Sequence, residues 1–298
     1  MTTILVTGSS GQLGSEIREL STRYSGYEFI FTDTGELDIT DAGATAAFIK
    51  SADPSWIINC AAYTAVDKAE SEPEIACAIN AIAPKVLAAQ ANLLHIPIIH
   101  YSTDYVFDGT KDGIYSEDDP ANPQSIYGKT KWLGEKNVRA MCPQHVILRT
   151  SWVFGAHGGN FLKTILKLSQ EREELKIIAD QFGAPTSAKL LADSTAKIAK
   201  QILQDGVEGK AGTYHLVAAG ETTWHAYTKK VIATANALGI ETKIRPDAIQ
   251  AIPTDVYPLP APRPRNSRLN TKKIQETFGI EIPDWSFDVE HVLKQITA

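Results

Sequence analysis

Cysteine is scarce in this chain of 298 residues, which has only Cys60, Cys77 and Cys142. They are widely spaced and odd in number, so neither a disulfide framework nor a zinc pattern follows. Buried free thiols in a reducing compartment are expected. Basic charge is also short. The 29 Lys and Arg against 35 Asp and Glu leave a net charge of -6, which argues against a nonspecific nucleic-acid binder, since those depend on basic patches. No apolar run approaches the length of a membrane span. The start, Met1-Thr2-Thr3-Ile4-Leu5-Val6, has no basic segment ahead of a long apolar one, as a secretory leader would. The expectation is a cytoplasmic protein with no membrane and no nucleic-acid partner. No internal repeat or low-complexity tail is visible. A hydrophobic fraction of 43% and a charged fraction of 21% suit a globular chain with room for one large or two moderate domains.

What is present begins with Thr3-Ile4-Leu5-Val6-Thr7, a β-branched apolar run suited to a buried parallel strand. It leads into Gly8-Ser9-Ser10-Gly11-Gln12-Leu13-Gly14, a Gly-x-x-Gly-x-x-Gly turn, and then a helical pattern to about Thr22. Glycines between a strand and a helix let backbone N–H groups approach a pyrophosphate at the helix N-terminus. Phe29-Ile30-Phe31 is a second strand, ending at Thr32-Asp33, with Asp33 placed 19 residues after Gly14. That separation suits an acid that binds adenosine ribose hydroxyls. Its charge repels a 2′-phosphate and favours NADH, although neighbouring loop residues can override this. Leu37 to Asp41 reads as a short strand or turn feeding a helix, capped by Thr40 or Asp41. Asp38 and Ile39 either flank an adenine or simply turn the chain. Trp56 to Ala62 is a further strand ending in small residues, over which a flat cofactor can lie. Val66 to Leu94 reads as helical, and Asn80 within it either bonds back to the strand ends or is solvated. Pro97 to Asp104 is a strand ending in hydroxyls, with His100 read as a core residue. In the polar loop Phe107 to Ser125, the run Glu117-Asp118-Asp119 is read as a solvated face.

Tyr127-Gly128-Lys129-Thr130-Lys131 then supplies Tyr-x-x-x-Lys. On a helix, residues four apart share a face. A free tyrosine has a pKa of about 10, and a neighbouring positive charge favours its phenolate, bringing it nearer the range useful for proton transfer. Strands alternating with helices in this order predict a doubly wound parallel sheet. From Arg149 the pattern changes. Helical segments at Asn160–Glu171, Leu190–Gln204 and Trp224–Leu238 alternate with short strands and loops, and Pro253 to Pro264 reads as an extended loop. The arginines that follow closely, Arg263, Arg265 and Arg268, are candidates to neutralise a diphosphate or else lie on the surface.

Taken together, the chain resembles the extended short-chain dehydrogenases/reductases, and within them the dTDP-4-dehydrorhamnose reductase family. The resemblance is carried by Asn59 to Glu70, Tyr101 to Gly109, Tyr127 to Lys131, Arg149 to Val153, Gln181 to Thr186 and Arg263 to Ser267. It implies an α/β fold: a Rossmann-like doubly wound sheet over residues 1–148, with a smaller mixed α/β substrate-binding domain over 149–298, interleaved with the first. It implies catalysis by Thr103, Tyr127 and Lys131. Gly8, Gly11, Gln12, Leu13, Asp33, Asp38, Ile39, Ala61, Ala62 and Tyr63 would line the cofactor, NADPH or NADH, together with Tyr127 and Lys131. Thr64, Val66, Thr103, Asp104, Tyr105, Trp152 and Arg263 would contact a nucleotide-sugar substrate. The implied reaction reduces the 4-keto group of dTDP-6-deoxy-L-lyxo-4-hexulose to dTDP-L-rhamnose, a cell-surface polysaccharide precursor, in a monomer or homodimer.

Some members of the family are described as joining subunits through a divalent metal such as Mg2+ held by glutamates. Glu16 matches one such position, but Lys189 stands where a second glutamate is expected, so no metal ligand is assigned. Two rival readings remain. A dehydratase or epimerase would share the fold, but related dehydratases carry Thr-Asp-Glu where this chain has Thr103-Asp104-Tyr105. A non-catalytic regulatory subunit would share the scaffold, but would not need the glycine turn, Tyr127 and Lys131 together.

Overall fold

The computed structural model describes residues 2–297. Strands β1 (Thr2–Thr7), β2 (Tyr27–Thr32), β3 (Trp56–Asn59), β4 (Ile98–Thr103) and β5 (His145–Thr150) join a later strand, Gly212–His215, in one sheet. The order from one edge is Gly212–His215, β5, β4, β3, β1, β2, and every pair is parallel. All residues of β3 and β4 are buried, which is why these segments read as continuous apolar runs rather than alternating ones.

Side chains still alternate between the two faces of the sheet. Ile4 and Val6 of β1 join Ile58, Ile99, Val146 and Leu148 on one face, covered by Ile17 of helix α1 (Gln12–Ser21) and by Leu191, Ile198 and Ile202 of helix Ala188–Asp205. Leu5, Ile57, Ile98 and Ile147 point the other way, onto Ile49 of helix α2 (Ala42–Ala52), Leu87 of Ala83–Leu93 and Val138 of Ile126–Met141. Each such aliphatic side chain contributes about 1.5–3 kcal/mol when fully buried. A separate core lies wholly in the second half, around Phe154, Leu162, Ile165, Tyr227, Val231, Val289 and Leu293.

The chain leaves β1 for β2 on one side and returns to β3 on the other. This is the reversal of winding at whose carboxyl edge α/β proteins form their clefts. The single long helix expected from Val66 to Leu94 is instead broken into Val66–Ala69, Pro73–Cys77, a π-helical turn at Ala78–Ile82, and Ala83–Leu93. Pro73 lacks the N–H to continue the first piece. Leu37 to Asp41 forms turns rather than a strand, and Asp41 caps α2 by accepting from the Ala44 amide at 2.9 Å. The acidic run in the polar loop is a solvated face only at Asp118, which is exposed. Asp119 accepts from Lys111 and from the Ser116 amide, both at 2.6 Å, and Glu117 accepts from the His215 amide at 3.0 Å. Of the three thiols, Cys142 is buried while Cys60 and Cys77 are half-buried. No helix among the described residues is long and apolar enough to cross a membrane.

Candidate active site

The site collects at the carboxyl edge of the sheet. β1 runs directly into Gly8, whose φ of +69° lies in the left-handed region. A Cβ there would come within 2.6 Å of the Ala61 backbone, so glycine lets the turn press against the small residues after β3. Gly11 precedes α1 and no side chain caps this helix, so its first amides remain available as donors. Gln12 opens the helix and turns its side chain toward the second half: its carbonyl oxygen accepts from Asn160 at 2.9 Å. Leu13 packs partly into the main core. The Asp33 carboxylate folds back on the glycine turn, accepting from the amides of Ser10 and Thr34 at 2.8 Å each. Burial pushes its pKa up, but these bonds outweigh that and hold it below the usual carboxylate range.

An uncapped helix start beside an ionised carboxylate fits a dinucleotide: the amides suit a pyrophosphate and the carboxylate suits ribose hydroxyls. Ala61, Ala62 and Tyr63 form the facing wall. Asn80, fully buried, fixes that wall by donating to the Tyr63 carbonyl at 3.1 Å and accepting from the Tyr63 amide at 2.9 Å. It therefore bonds back to the strand end rather than to solvent. Ile39 is buried against Leu37 and Ala83. Asp38 turns its carboxylate onto Thr40, accepting from that residue's amide at 2.9 Å and hydroxyl at 2.7 Å. That is the chain-turning role.

β4 ends in Thr103, whose hydroxyl accepts from the Tyr105 amide at 3.2 Å and donates to the Asp104 carboxylate at 3.1 Å. Ser125 caps helix Ile126–Met141, accepting from the Gly128 amide at 3.1 Å, and so fixes Tyr127 in the first turn. Burial pushes the Tyr127 phenol up to about 12, against a smaller downward pull from the Thr103 side chain that reaches it. The Lys131 ammonium does not supply the expected lowering, because it is engaged elsewhere. The Lys131 ammonium, almost fully buried, instead donates to the Tyr101 carbonyl at 2.6 Å, and burial lowers its pKa to about 8. The two residues share a helix face as their spacing requires, but the ammonium is directed at the β4 backbone. Tyr105 meets the Tyr127 ring edge to face, with centroids 5.3 Å apart, and burial raises its pKa.

Tyr105 in turn lines a cavity of about 740 Å³, together with Trp152, Trp224, Arg263 and Ser267, among others; Thr103 and Tyr127 lie behind it and are not part of that lining. Trp152 has a φ of +50°, a conformation that costs a non-glycine residue about 1–3 kcal/mol and collects at functional sites. Stacking on Trp224, with centroids 3.6 Å apart, holds it there. Of the three candidate arginines, Arg263 faces the cavity. One of its nitrogens donates to Asp67 at 2.7 Å, while the other, buried, has no partner among the described residues. Arg265 is exposed, and Arg268 is tied to Asn266 and Glu221. Val66 begins a short helix and Thr64 is exposed, and neither lines the cavity. Sequence reasoning missed Trp224, which showed only as the start of an amphipathic helix, and the pairing of Ser267 with Asp104, which joins residues 163 positions apart.

At the other side of α1, Glu16 is buried beside Glu19, Lys189 and Asp193. Burial raises its pKa, helped by Glu19. The Lys189 ammonium pairs with Asp193 within this group. An ammonium among the carboxylates does not fit a divalent cation, and no group of three or more His, Cys, Asp or Glu placed to hold one exists among the described residues.

The chain is similar to known proteins along its whole length. The family described as RmlD substrate binding domain matches residues 1–298. The dTDP-4-dehydrorhamnose reductase of Escherichia coli K12 is 45% identical over 295 residues, covering 98% of this chain and 97% of that one. The solved dTDP-4-dehydrorhamnose reductase of Clostridium acetobutylicum superposes with a TM-score of 0.91 at 36% identity, covering 100% of both chains. That of Bacillus anthracis, solved in complex with NADP, superposes with a TM-score of 0.89 at 31% identity, covering 99% of this chain and 100% of that one. With matches of this identity running the length of the molecule, the chain belongs to the dTDP-4-dehydrorhamnose reductase family.

Proposed function

We propose that the protein reduces the 4-keto group of dTDP-6-deoxy-L-lyxo-4-hexulose to dTDP-L-rhamnose, with NADPH or NADH as reductant. The observation that carries this reading is the pair of hydroxyls, Thr103 and Tyr127, brought together at the end of β4, next to Tyr105, whose ring packs on Tyr127 and lines a cavity that offers both an aromatic face and an arginine. When bound, the reduced nicotinamide supplies a hydride to the carbonyl carbon. The protein's part is to receive the charge that develops on oxygen. Tyr127, held protonated by burial, is a proton donor over the whole physiological range. Its proton moves to the carbonyl oxygen while Thr103 orients that oxygen by hydrogen bonding.

The glycine turn, the α1 amides and Asp33 would hold the dinucleotide, with Ala61 to Tyr63 as its wall. Lys131 keeps the end of β4, and with it Thr103, in place through Tyr101. On the substrate side, the unpartnered Arg263 nitrogen suits a diphosphate oxygen, and Trp152 offers a flat apolar face to the deoxysugar. Residues 149–298 are thus mainly substrate-binding. Dehydration has no support at Tyr105. A phenol whose pKa is raised by burial does not serve as the carboxylate base that the related dehydratases use.

A spectrophotometric assay tests this directly. With the keto sugar nucleotide, reduced cofactor should be consumed and dTDP-L-rhamnose formed, and NADH and NADPH run in parallel rank the two. Tyr127→Phe should fold normally and lose about 10²–10⁴-fold in kcat, the usual share of a positioned proton donor. A variant turning over at near the normal rate would remove Tyr127 from its role. A folded protein inactive with both cofactors would turn attention to a different nucleotide sugar.

A further inference from the structure

The hydrogen bonds of the Thr103 hydroxyl govern how the proton is supplied. A threonine hydroxyl has one proton to donate and two lone pairs to accept. One lone pair is taken by the Tyr105 amide, which can only donate, at 3.2 Å. The other partner is Asp104, whose Oδ1 lies 3.1 Å from the hydroxyl. If that carboxyl is ionised, it can only accept. The Thr103 proton is then committed to it, and nothing remains to give to a substrate oxygen or to Tyr127. If the carboxyl is protonated on Oδ1, it donates to Thr103, and the Thr103 proton is released to point into the site. The protonation state of Asp104 therefore decides whether Thr103 acts there as a donor or an acceptor.

Asp104 is built for such a choice. Its residue is 3% exposed. Its second oxygen, Oδ2, accepts from Ser267, which is held in turn by a bond from its own amide to the Phe182 carbonyl at 2.8 Å. A proton can sit on Oδ1 without disturbing the Ser267 bond. Burial lifts the carboxyl to about 6, against the opposing pull of Ser267 and Thr103. The titratable neighbours are Tyr127 and Tyr105, with the Arg263–Asp67 pair next to Tyr105.

We propose that Asp104 is a positioning residue that turns the Thr103 hydroxyl toward the reacting oxygen and returns a proton through it to Tyr127. This rests on the reductase reading above. The balance is one proton per turnover. Tyr127 gives its phenol proton to the substrate oxygen, the resulting phenolate takes the Thr103 proton, and Thr103 takes the Asp104 proton. The carboxylate left behind is stabilised by the two hydroxyls that now both donate to it. It regains a proton from solvent through the cavity between turnovers.

The test compares kcat/KM against pH for the wild type, Asp104→Asn and Ser267→Ala. The competent form is the protonated one, so wild-type activity should fall as pH rises through about 6. Asp104→Asn, which keeps a hydrogen-bonding group of the same shape but cannot release a proton, should lose about 10²-fold near pH 6 and lose that limb entirely. Ser267→Ala removes a bond that favours the carboxylate, so its limb should move to higher pH, a shift that a purely structural role would not produce. A second readout needs no turnover. Difference infrared spectra of wild type minus Asp104→Asn should show a protonated-carboxyl band that disappears as pH is raised through about 6. The absence of that band, or an Asp104→Asn profile with the wild-type limb, would overturn the proposal. A protein that shows the band and its titration yet leaves the keto sugar unreduced would count against the substrate assignment, while upholding the proton held at Asp104.

Discussion

Lys131 shows how a residue can be legible in its type and spacing yet not in its contacts. Tyr-x-x-x-Lys places two side chains on one helix face, and that much follows from the helical repeat. Where the ammonium goes depends on β4, which arrives from 30 residues earlier and offers the Tyr101 carbonyl. No local pattern encodes that meeting. The consequence is measurable. Burial lowers the Lys131 pKa to about 8 from 10.5, with Glu135 pulling modestly the other way. The unfolded chain therefore binds more protons than the folded one between these values, and the charged lysine burdens the fold most below pH 8. Lys131→Met should stabilise the protein by about 1–3 kcal/mol at pH 7 while abolishing turnover, since a shift of one unit is worth about 1.4 kcal/mol. The advantage should shrink as pH rises from 8 toward 10. Urea unfolding of both proteins at pH 7 and 9 measures it. A variant that is less stable at pH 7, or a gap that does not narrow, would mean that the bond to Tyr101 outweighs the desolvation of the charge.

At the scale of elements, the regular pieces were readable and their interruptions were not. The four strands and the helix carrying Tyr127 follow from apolar runs and helical spacing, and Asp33 at the end of β2 follows from its distance to the glycine turn. The π-helical turn at Ala78–Ile82 had no sequence signal beyond Pro73 and Pro84 flanking it. It exists because Asn80 must face the Tyr63 backbone and because helix Ile126–Met141 lies directly against it. The contact is close: a Cβ on Gly134 would stand 2.1 Å from the Asn80 carbonyl oxygen, a backbone atom that no side-chain rotation can move aside. Gly134→Ala should therefore push the helix away from the turn, costing about 1–3 kcal/mol as overpacking does. The same shift moves Tyr127 and Lys131 relative to Thr103, and a displacement of about 1 Å can cost 10²-fold in rate. Thermal melting and kcat should fall together, with kcat the more affected. A well-folded Gly134→Ala enzyme of normal activity would show that the turn yields without moving the catalytic helix.

At the scale of the whole molecule, the change of pattern near Arg149 does not mark the end of a folding unit. The alternation of strands and helices up to that point is what the sequence displays. What it conceals is that the sheet is completed by Gly212–His215, from far downstream, because four residues with ordinary composition give little periodicity to read. A cut after residue 148 passes through β5. It removes Leu191, Ile198, Ile202 and Tyr214 from the core that covers Ile4, Val6, Ile58 and Ile99. It also removes Arg149, which holds the fully buried Glu135 by two bonds of 2.8 Å. Burial alone would raise the Glu135 pKa, and it is Arg149 above all that reverses this and keeps the carboxylate charged. Losing one partner of such a buried pair costs about 3–5 kcal/mol, to which the stripped sheet face adds several aliphatic side chains at about 1.5–3 kcal/mol each. Those losses rival the whole stability of a typical domain, about 5–15 kcal/mol. Residues 1–148 expressed alone should therefore show no cooperative thermal transition and no binding of reduced dinucleotide, while the full chain shows both. A soluble fragment that melts sharply and binds the dinucleotide would establish the first half as an independent folding unit, with the second half docked onto a core already complete.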